Sequence, residues 1–306
     1  MTEEEKLLLE EIEQLKKENN ALVVAHYYQA GEVQEAADVV GDSYALAKAC
    51  QASTKKVIVF CGVHFMAESA KILSPNKIVL MPNPNAGCPM ADMVTPEMVR
   101  DLRKKHPEAT VVCYINTSAA VKAECDVCVT SSNAEKIINK LEAKEILFLP
   151  DMNLGANIAA KMPNKKFILF EGYCVVHHQV TTGDVESKRI QFPNSKLLVH
   201  PECPPEVVEL ADYAGSTKGL LDFVIDSDAQ EFIIGTEKGV VYNMQKACPD
   251  KKFHMLSNCL LCVNMKKTNL TMVRDSLRDF QYEIEVDEVT RLRAEGCLKR
   301  MMELAE

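Results

Sequence analysis

The chain has 306 residues, 47% hydrophobic and 26% charged, a composition typical of soluble proteins with more than one core. Its formal net charge of −9 argues against general binding to nucleic acid, and no apolar run approaches the roughly 20 residues of a membrane span. Residues 1–20 alternate acids, lysines and leucines and lack the basic and apolar regions of a signal peptide. We therefore expect a solvated amphipathic helix at the start of a cytoplasmic protein.

Short apolar runs then alternate with helical segments, which is the pattern of an α/β fold with a buried parallel sheet. The alternation occurs three times along the chain. The predicted strands are 22–25, 57–60 and 78–81, then 110–113, 145–149 and 167–170, then 196–199, 231–234 and 253–256. The predicted helices are 32–40, 44–51 and 65–73, then 119–124, 134–141 and 154–161, then 206–210, a segment ending at Val224, and 240–247.

An internal repeat connects these three segments. Lys77, Lys165 and Lys251 each follow a Pro-Asn or Pro-Asp turn and begin an apolar run that leads to a cysteine. The lysines lie 88 and 86 residues apart, a period that is too long for a solenoid unit and suits a small α/β domain. We predict three tandem homologous three-layer αβα domains with short parallel sheets, arranged with pseudo-threefold symmetry around a central site. The predicted domains are 1–95 with the N-terminal helix, 96–182, and 183–306 with a C-terminal helical tail.

Polar residues recur in register with the repeat. His26, Tyr114 and His200 each follow the first strand of a copy, and the hydroxyl residues Ser43, Ser131 and Thr217 each lie five residues after an aspartate. Ligands of open α/β sheets bind just beyond the carboxyl ends of the strands, so these residues predict a binding rim. The structural alternative is that the hydroxyls only cap helices and the histidines only form internal hydrogen bonds.

The repeat also supplies one cysteine per copy, here called the central cysteines: Cys88, Cys174 and Cys262. If the domains face one another about an axis, these three thiols meet. Three soft ligands suit either a zinc ion with an open position or a cubane iron–sulfur cluster in which one iron lacks a protein ligand. Cys259 is an alternative third ligand, although Lys77 to Cys88 and Lys251 to Cys262 span the same 11 positions.

The other cysteines are interpreted mainly as buried hydrophobic residues, because free cysteine is among the most buried residue types. This interpretation covers six of them: Cys50, Cys61, Cys113, Cys203, Cys248 and Cys297. Cys125 and Cys128 form a Cys-x-x-Cys pair, which is half of a zinc site, and the sequence shows no evident partner for it.

Several motifs resemble those of one enzyme family. They are His26-Tyr27-Tyr28-Gln29, Gly41-Asp42-Ser43, Gly62-Val63-His64-Phe65-Met66-Ala67-Glu68, Tyr114-Ile115-Asn116, Thr130-Ser131-Ser132-Asn133-Ala134, Leu149-Pro150-Asp151, His200-Pro201-Glu202-Cys203, Gly215-Ser216-Thr217, Ile234-Gly235-Thr236-Glu237 and Cys262-Val263-Asn264-Met265-Lys266. In this order, from about residue 20 to 280, they resemble the quinolinate synthases of de novo NAD biosynthesis.

The resemblance implies an enzyme that condenses iminoaspartate with dihydroxyacetone phosphate to quinolinate, a transferase-type or dehydratase-type condensation that releases phosphate and water. It also implies a [4Fe-4S] cluster held by Cys88, Cys174 and Cys262, whose open iron acts as a Lewis acid. An L-aspartate oxidase is a candidate supplier of iminoaspartate. No nucleic acid or membrane is expected as a partner.

The same resemblance implies the residues that contact substrate. They are His26, Ser43, Tyr114, Asn116, Ser131, His200, Glu202, Ser216 and Thr217. Imidazole, hydroxyl and amide donors together with helix N-termini can hold carboxylates and phosphate without an arginine. Proton transfer near neutral pH suits Glu202, Tyr28, His26 and His200 as acid and base candidates. His177, three residues after Cys174, is either a residue that tunes the ligand or a structural one.

Two other classes of protein fit part of the pattern. A zinc-dependent hydrolase or lyase would use the same three cysteines but would be colourless, whereas a cubane cluster gives brown protein. A non-catalytic iron–sulfur carrier would not need three rows of polar residues in register, and it would not bind quinolinate.

Overall fold

The computed structural model describes residues 2–306 and contains three parallel sheets of four strands each. Residue 1, with which the predicted N-terminal helix begins, lies outside the described residues. The first sheet and its helices are α1 (Glu3–Glu18), β1 (Ala21–His26), α2 (Gly31–Ala36), β2 (Val39–Gly41), α3 (Ser43–Ala52), β3 (Val57–Cys61), α4 (His64–Leu73) and β4 (Ile78–Leu80).

The second unit follows a short 3-10 helix at Ala91–Met93. Its elements are α5 (Pro96–Lys105), β5 (Thr110–Tyr114), α6 (Ala119–Lys122), β6 (Val127–Val129), α7 (Ala134–Lys140), β7 (Glu145–Leu149), α8 (Met152–Ala159) and β8 (Lys166–Leu169). The third unit contains α9 (Thr182–Gln191), β9 (Lys196–Val199), α10 (Pro205–Val208), β10 (Tyr213–Ala214), α11 (Thr217–Asp226), β11 (Glu231–Gly235), α12 (Val240–Ala247) and β12 (Lys252–Met255). After a second 3-10 helix at Met265–Lys267, the chain ends with α13 (Leu270–Asp279) and α14 (Glu288–Ala305).

The three sheets have the same topology. Their strand orders are β2-β1-β3-β4, β6-β5-β7-β8 and β10-β9-β11-β12, and every paired strand within them is parallel. The central strands are apolar on both faces, as in β3, whose five residues are all buried, because helices cover both sides of a parallel sheet. The predicted α/β class with three repeated αβα units is confirmed.

Each sheet has an edge strand that the sequence interpretation missed. The predicted helix 32–40 was wrong at its end, because α2 stops at Ala36 and Val39–Gly41 pair with β1. The repeated aspartates explain how so short a strand is held. The carboxylate of Asp38 accepts the backbone N–H of Val23 at 2.8 Å, and Asp126 and Asp212 make the same bond to the first strands of their copies. The aspartate therefore fixes the register where side-chain packing is small.

The repeated lysines cap the C-terminal ends of helices. Lys77 Nζ donates to the carbonyls of Cys50 and Ser53 at the end of α3, both at 2.6 Å. Lys165 donates to two carbonyls at the end of α7, and Lys251 to two at the end of α11. A cation at a helix C-terminus satisfies carbonyls that have no partner within the helix. The motif that revealed the repeat is thus a structural one.

The two C-terminal helices pack outside the third unit. α13 lies against α1, α2 and β3, and α14 lies against α4, α6, β6 and α7. The tail of predicted domain 183–306 therefore joins the first and second units, while the predicted boundaries at 95 and 182 fall between the sheets. The N-terminal helix is also less solvated than expected, because Ile12 and Lys16 are buried. Within residues 2–306, no helix has both the length and the apolar character needed to cross a membrane.

Candidate active site

A cavity of about 770 Å³, including its mouth, lies where the three units meet. All three central cysteines line it. Nearly all of the other predicted site residues line it as well: His26, Tyr28, Ser43, Tyr114, Asn116, Ser131, His200, Glu202 and Thr217. Ser216 is not among the lining residues. Cys262 faces the cavity, whereas Cys259, the alternative ligand, is exposed.

The loops that carry the central cysteines are built to hold thiolates. Burial, together with the charges of Cys262 and Glu202, raises the pKa of Cys88 to about 12. Burial likewise raises the pKa of Cys174 and of Cys262. Opposing this, backbone N–H groups two or three residues further along each loop point at the sulfurs: those of Met90 and Ala91, His177, and Asn264 and Met265. Buried thiolates with such donors fit a metal centre, whose positive charge stabilises the ionised form.

Two buried carboxylates fix the orientation of these loops. Asp151 Oδ2 accepts the backbone N–H of Cys174 at 3.1 Å, and Glu237 Oε1 accepts that of Cys262 at 3.1 Å. Asp151 also caps α8 through the N–H of Leu154. Both carboxylates are therefore attached to the cysteine loops, and Asp151 caps a helix as well.

The tautomers of His26 and His200 follow from their backbone contacts. His26 Nδ1 accepts the N–H of Tyr28 at 3.1 Å, and His200 Nδ1 accepts the N–H of Glu202 at 3.3 Å. In the neutral ring the proton must then lie on Nε2. Burial lowers the pKa of His26 to about 3 and that of His200 to about 4. Both rings are neutral donors at neutral pH, and His200 Nε2 lies 3.2 Å from the hydroxyl of Ser131.

Glu202 is the buried anion of the cavity. Burial alone would raise its pKa, but the neighbouring His200 and His177 and a hydrogen bond from Tyr114 lower it to about 2. Its Oε2 lies 2.8 Å from His177 Nδ1. The phenol of Tyr114 stays protonated because burial raises its pKa well above the usual value. Glu202 is therefore a carboxylate surrounded by donors.

A hydrogen-bond chain connects this carboxylate to Tyr28 of the first unit. Thr217 Oγ1 donates to the Tyr28 hydroxyl at 2.9 Å, and that hydroxyl lies 2.8 Å from Thr236 Oγ1. Thr236 lies 3.0 Å from His177 Nε2. His177 Nδ1 faces the Glu202 carboxylate, so the proton of the neutral ring lies on Nδ1. The Nε2 atom then accepts a hydrogen bond from the Thr236 hydroxyl, and the chain is continuous. Thr236 was quoted only as part of a family-like motif, and its hydroxyl between Tyr28 and His177 was not predicted.

The helix-start hydroxyls divide into two groups. Ser216 is the N-cap of α11 and accepts the N–H of Gly219, which is the structural role we had weighed against binding. Asp42 caps α3, so the hydroxyl of Ser43, the first residue of that helix, is not needed as a cap.

The amide oxygen of Asn116 is buried without a hydrogen-bond partner, and Asn116 lines the cavity. Such an unpaired group indicates a place for a ligand.

One group of donors is already close enough for a metal ion. Cys174 Sγ, a His177 nitrogen and a Glu202 oxygen all lie within 4.8 Å of one another, the only such group of three or more among residues 2–306. His177 Nδ1 is 3.3 Å from Cys174 Sγ. His177 therefore contacts a predicted metal ligand directly, which favours the tuning role over the purely structural one.

The remaining cysteines follow the interpretation in part. Cys50, Cys61, Cys113, Cys203 and Cys297 are buried, but Cys248 is only half-buried, so its assignment to the core was wrong. The Cys-x-x-Cys pair does have neighbours. The Sγ atoms of Cys113 and Cys297 are 3.6 Å apart, Cys128 is the register partner of Cys113, and Cys125 lies three positions before Cys128. These four are called the peripheral cysteines below.

Comparison with known proteins agrees with this geometry. Residues 10–303 match the family model described as Quinolinate synthetase A protein. A quinolinate synthase of Caldicellulosiruptor bescii is 54% identical over 97% of this chain and 98% of its own length. Quinolinate synthase 2 of Methanosarcina acetivorans is 49% identical over 99% of this chain and 97% of its own. With its three-unit fold, its central cysteines and matches over nearly its whole length, the chain belongs to the quinolinate synthase family.

Proposed function

We propose that the protein condenses iminoaspartate with dihydroxyacetone phosphate to form quinolinate, releasing phosphate and water. The observation that carries this proposal is that three separate units bring Cys88, Cys174 and Cys262 to one cavity together with neutral donors and one carboxylate. A carrier of electrons or clusters would not need these donors.

Anionic groups are held by donors instead of by cations. No lysine or arginine is among the cavity-lining residues, all of which lie in the described part of the chain. The Nε2–H groups of His26 and His200 and the hydroxyl of Ser43 supply donors that stay uncharged at neutral pH. The N-termini of α3 and α11 also begin at the cavity, where their N–H groups favour carboxylate or phosphate. We assign the substrate carboxylates and the phosphate to these donors.

Glu202 takes up protons during the condensation. With a pKa of about 2, the free carboxylate is a weak base. Substrate carboxylates that enter beside it raise its pKa, because like charges disfavour ionisation. His177 then moves a proton between Glu202 and the hydroxyl of Thr236, and the chain continues to Tyr28. The residues we place in acid and base roles are Glu202, Tyr28, His26 and His200.

The central cysteines fit a [4Fe-4S] cluster. There is one thiol per unit, each with N–H donors at its sulfur, and a cubane held by three cysteines leaves one iron open. When bound, such a cluster supplies a Lewis acid to a substrate oxygen next to the polar wall of the cavity. Iminoaspartate is unstable in water, and we propose that an L-aspartate oxidase supplies it.

Anaerobic purification followed by iron and sulfide analysis tests the cofactor, and quinolinate formation from the two substrates tests the activity. We expect about four irons and four sulfides per chain. Cys88→Ala, Cys174→Ala and Cys262→Ala should each lose iron and turnover, whereas Cys259→Ala should keep both. Zinc in place of iron at these cysteines, or iron-loaded protein that makes no quinolinate, would refute the proposal.

A further inference from the structure

The peripheral cysteines come together from three neighbouring segments. Cys113 lies in β5, and Cys128, its register partner, lies beside it in β6. Cys125 precedes Cys128 by three positions, and Cys297 lies in α14, which packs over β6. The Sγ atoms of Cys113 and Cys297 are 3.6 Å apart. Two strands and the C-terminal helix thus direct their thiols to one point.

These thiols lie near one another and are at least half-buried. Cys113, Cys128 and Cys297 are buried, and Cys125 is half-buried. Burial would raise the pKa of the Cys113 thiol, and the neighbouring thiols of Cys125, Cys128 and Cys297 lower it. A single buried thiol needs no explanation beyond packing. Four in one place, two of them in a Cys-x-x-Cys pair, match the donor set of a closed structural zinc site.

Positive charges surround the group. Lys122 is completely buried, and its charge acts on the thiols of Cys113 and Cys128. The charge of Arg103 acts on Cys125. A zinc ion with four thiolates carries two net negative charges, and such a charge in a protein interior requires nearby cations. Lys122 and Arg103 supply two such positive charges next to the group.

We propose that Cys113, Cys125, Cys128 and Cys297 bind one Zn²⁺ ion in a tetrahedral, structural site. Zinc–sulfur bonds of about 2.3 Å place tetrahedral ligands roughly 3.8 Å apart, close to the separation of Cys113 and Cys297. All four thiols lose their protons on binding, so one Zn²⁺ replaces four H⁺ and no oxidant or reductant is needed. This site is distinct from the cavity and does not depend on the proposed reaction.

Binding requires a contraction of the group. No three of its sulfurs all lie within 4.8 Å of one another, since Cys174, His177 and Glu202 form the only group in residues 2–306 that meets this limit. Cys125 Sγ instead donates to the carbonyl of Val121 at 3.1 Å. A metal–thiolate bond replaces this weak hydrogen bond, and Cys125, which lies outside the strands, is the ligand that moves.

The site would attach α14 to the second unit. α14 packs against α6, whose Lys122 donates to the carbonyls of Ile115 and Thr117. Those carbonyls flank Asn116, whose residue lines the cavity. A zinc ion at the peripheral cysteines would therefore stabilise the loop that carries Asn116 without touching the substrate.

Zinc X-ray absorption on the full-length protein tests this site, because it does not respond to iron. The protein is incubated with Zn²⁺ and desalted, and the bound metal is counted by mass spectrometry. We expect about one zinc per chain with four sulfur neighbours at about 2.3 Å. The half-buried Cys248, which follows α12 in the third unit, provides the matched control, so Cys248→Ser should keep the full signal. Cys174→Ala should keep it too, which separates the peripheral site from the central one.

Cys125→Ser is the decisive variant, because residue 125 lies outside the strands and its loss should not prevent folding. It should lose the zinc or replace one sulfur by oxygen, and Cys297→Ser should do the same. A wild-type protein that retains no zinc overturns the proposal. So does zinc that disappears in Cys174→Ala, or four-sulfur zinc that persists in Cys125→Ser.

Discussion

The central and the peripheral cysteines are brought together in different ways. The central cysteines come one from each unit, lie on loops after strands and face a cavity with neutral donors and a carboxylate. The peripheral cysteines come from one sheet and the C-terminal helix, and Cys113, Cys128 and Cys297 are buried in the core. Repetition has thus assembled ligands around an accessible space, whereas local packing has assembled thiols in a closed one. The first arrangement suits chemistry on a small molecule and the second suits stabilisation.

The largest expected effect tests this contrast directly. Cys174→Ala should lower turnover by at least about a thousandfold, because a Lewis acid contributes several kcal/mol to the barrier reduction. Cys297→Ser should retain most of its turnover and instead lower the thermal midpoint. The measurements are steady-state quinolinate formation and anaerobic thermal unfolding. Equal losses of turnover in both variants would remove the functional distinction between the two groups.

Glu202→Gln should lower kcat by about a hundredfold, the usual scale for loss of a general acid or base. The amide keeps the shape of the side chain but cannot accept a proton. Iron content should stay unchanged, because the proposed cluster ligands are the three central cysteines and the close contact of Glu202 is with His177. Full turnover in a variant with normal iron would exclude Glu202 as a proton carrier.

The neutral histidines of the cavity predict an acid-sensitive stability. Burial lowers the pKa of His26 to about 3, whereas the usual value is 6.5, so unfolding takes up a proton at any pH between these two. Stability is therefore lost as the pH falls below 6.5. Between pH 7 and 5 the wild type should lose about 2 kcal/mol more than His26→Gln, roughly a thirtyfold change in the unfolding equilibrium. Urea unfolding at both pH values measures this difference. Parallel curves for the two proteins would show that His26 is not kept neutral by burial.

The smallest effect concerns Thr236, which touches Tyr28 and His177. Thr236→Val keeps the shape and removes the hydroxyl, and losing about 1–1.5 kcal/mol of hydrogen bonding should lower kcat about tenfold. Thr236→Ser restores a hydroxyl and should recover most of the rate. If valine and serine behave alike, the contribution of Thr236 is packing alone and the hydrogen-bond chain does not carry protons.

The repeat could be recognised in the sequence because it is a regular spacing of residues along the chain. Lys77, Lys165 and Lys251, with the cysteines that follow them, predicted three α/β units and a meeting of Cys88, Cys174 and Cys262 before any coordinates. Parallel strands place the residues after their carboxyl ends on one rim, so His26, Tyr114 and His200 could be assigned to a site from periodicity and order.

Other features depend on contacts between distant segments, which no local pattern encodes. Residues 113 and 297 are 184 positions apart, and Tyr28 and Thr236 are 208 apart, so their proximity follows only from how α14 and the third unit pack. Strands such as Val39–Gly41 are too short for a periodic signal and exist because Asp38 fixes their register. The sequence alone determined the fold class and the three cysteines that the repeat supplies. Tertiary packing decided which side chains outside the repeat join them, because burial and hydrogen-bond geometry depend on the whole fold.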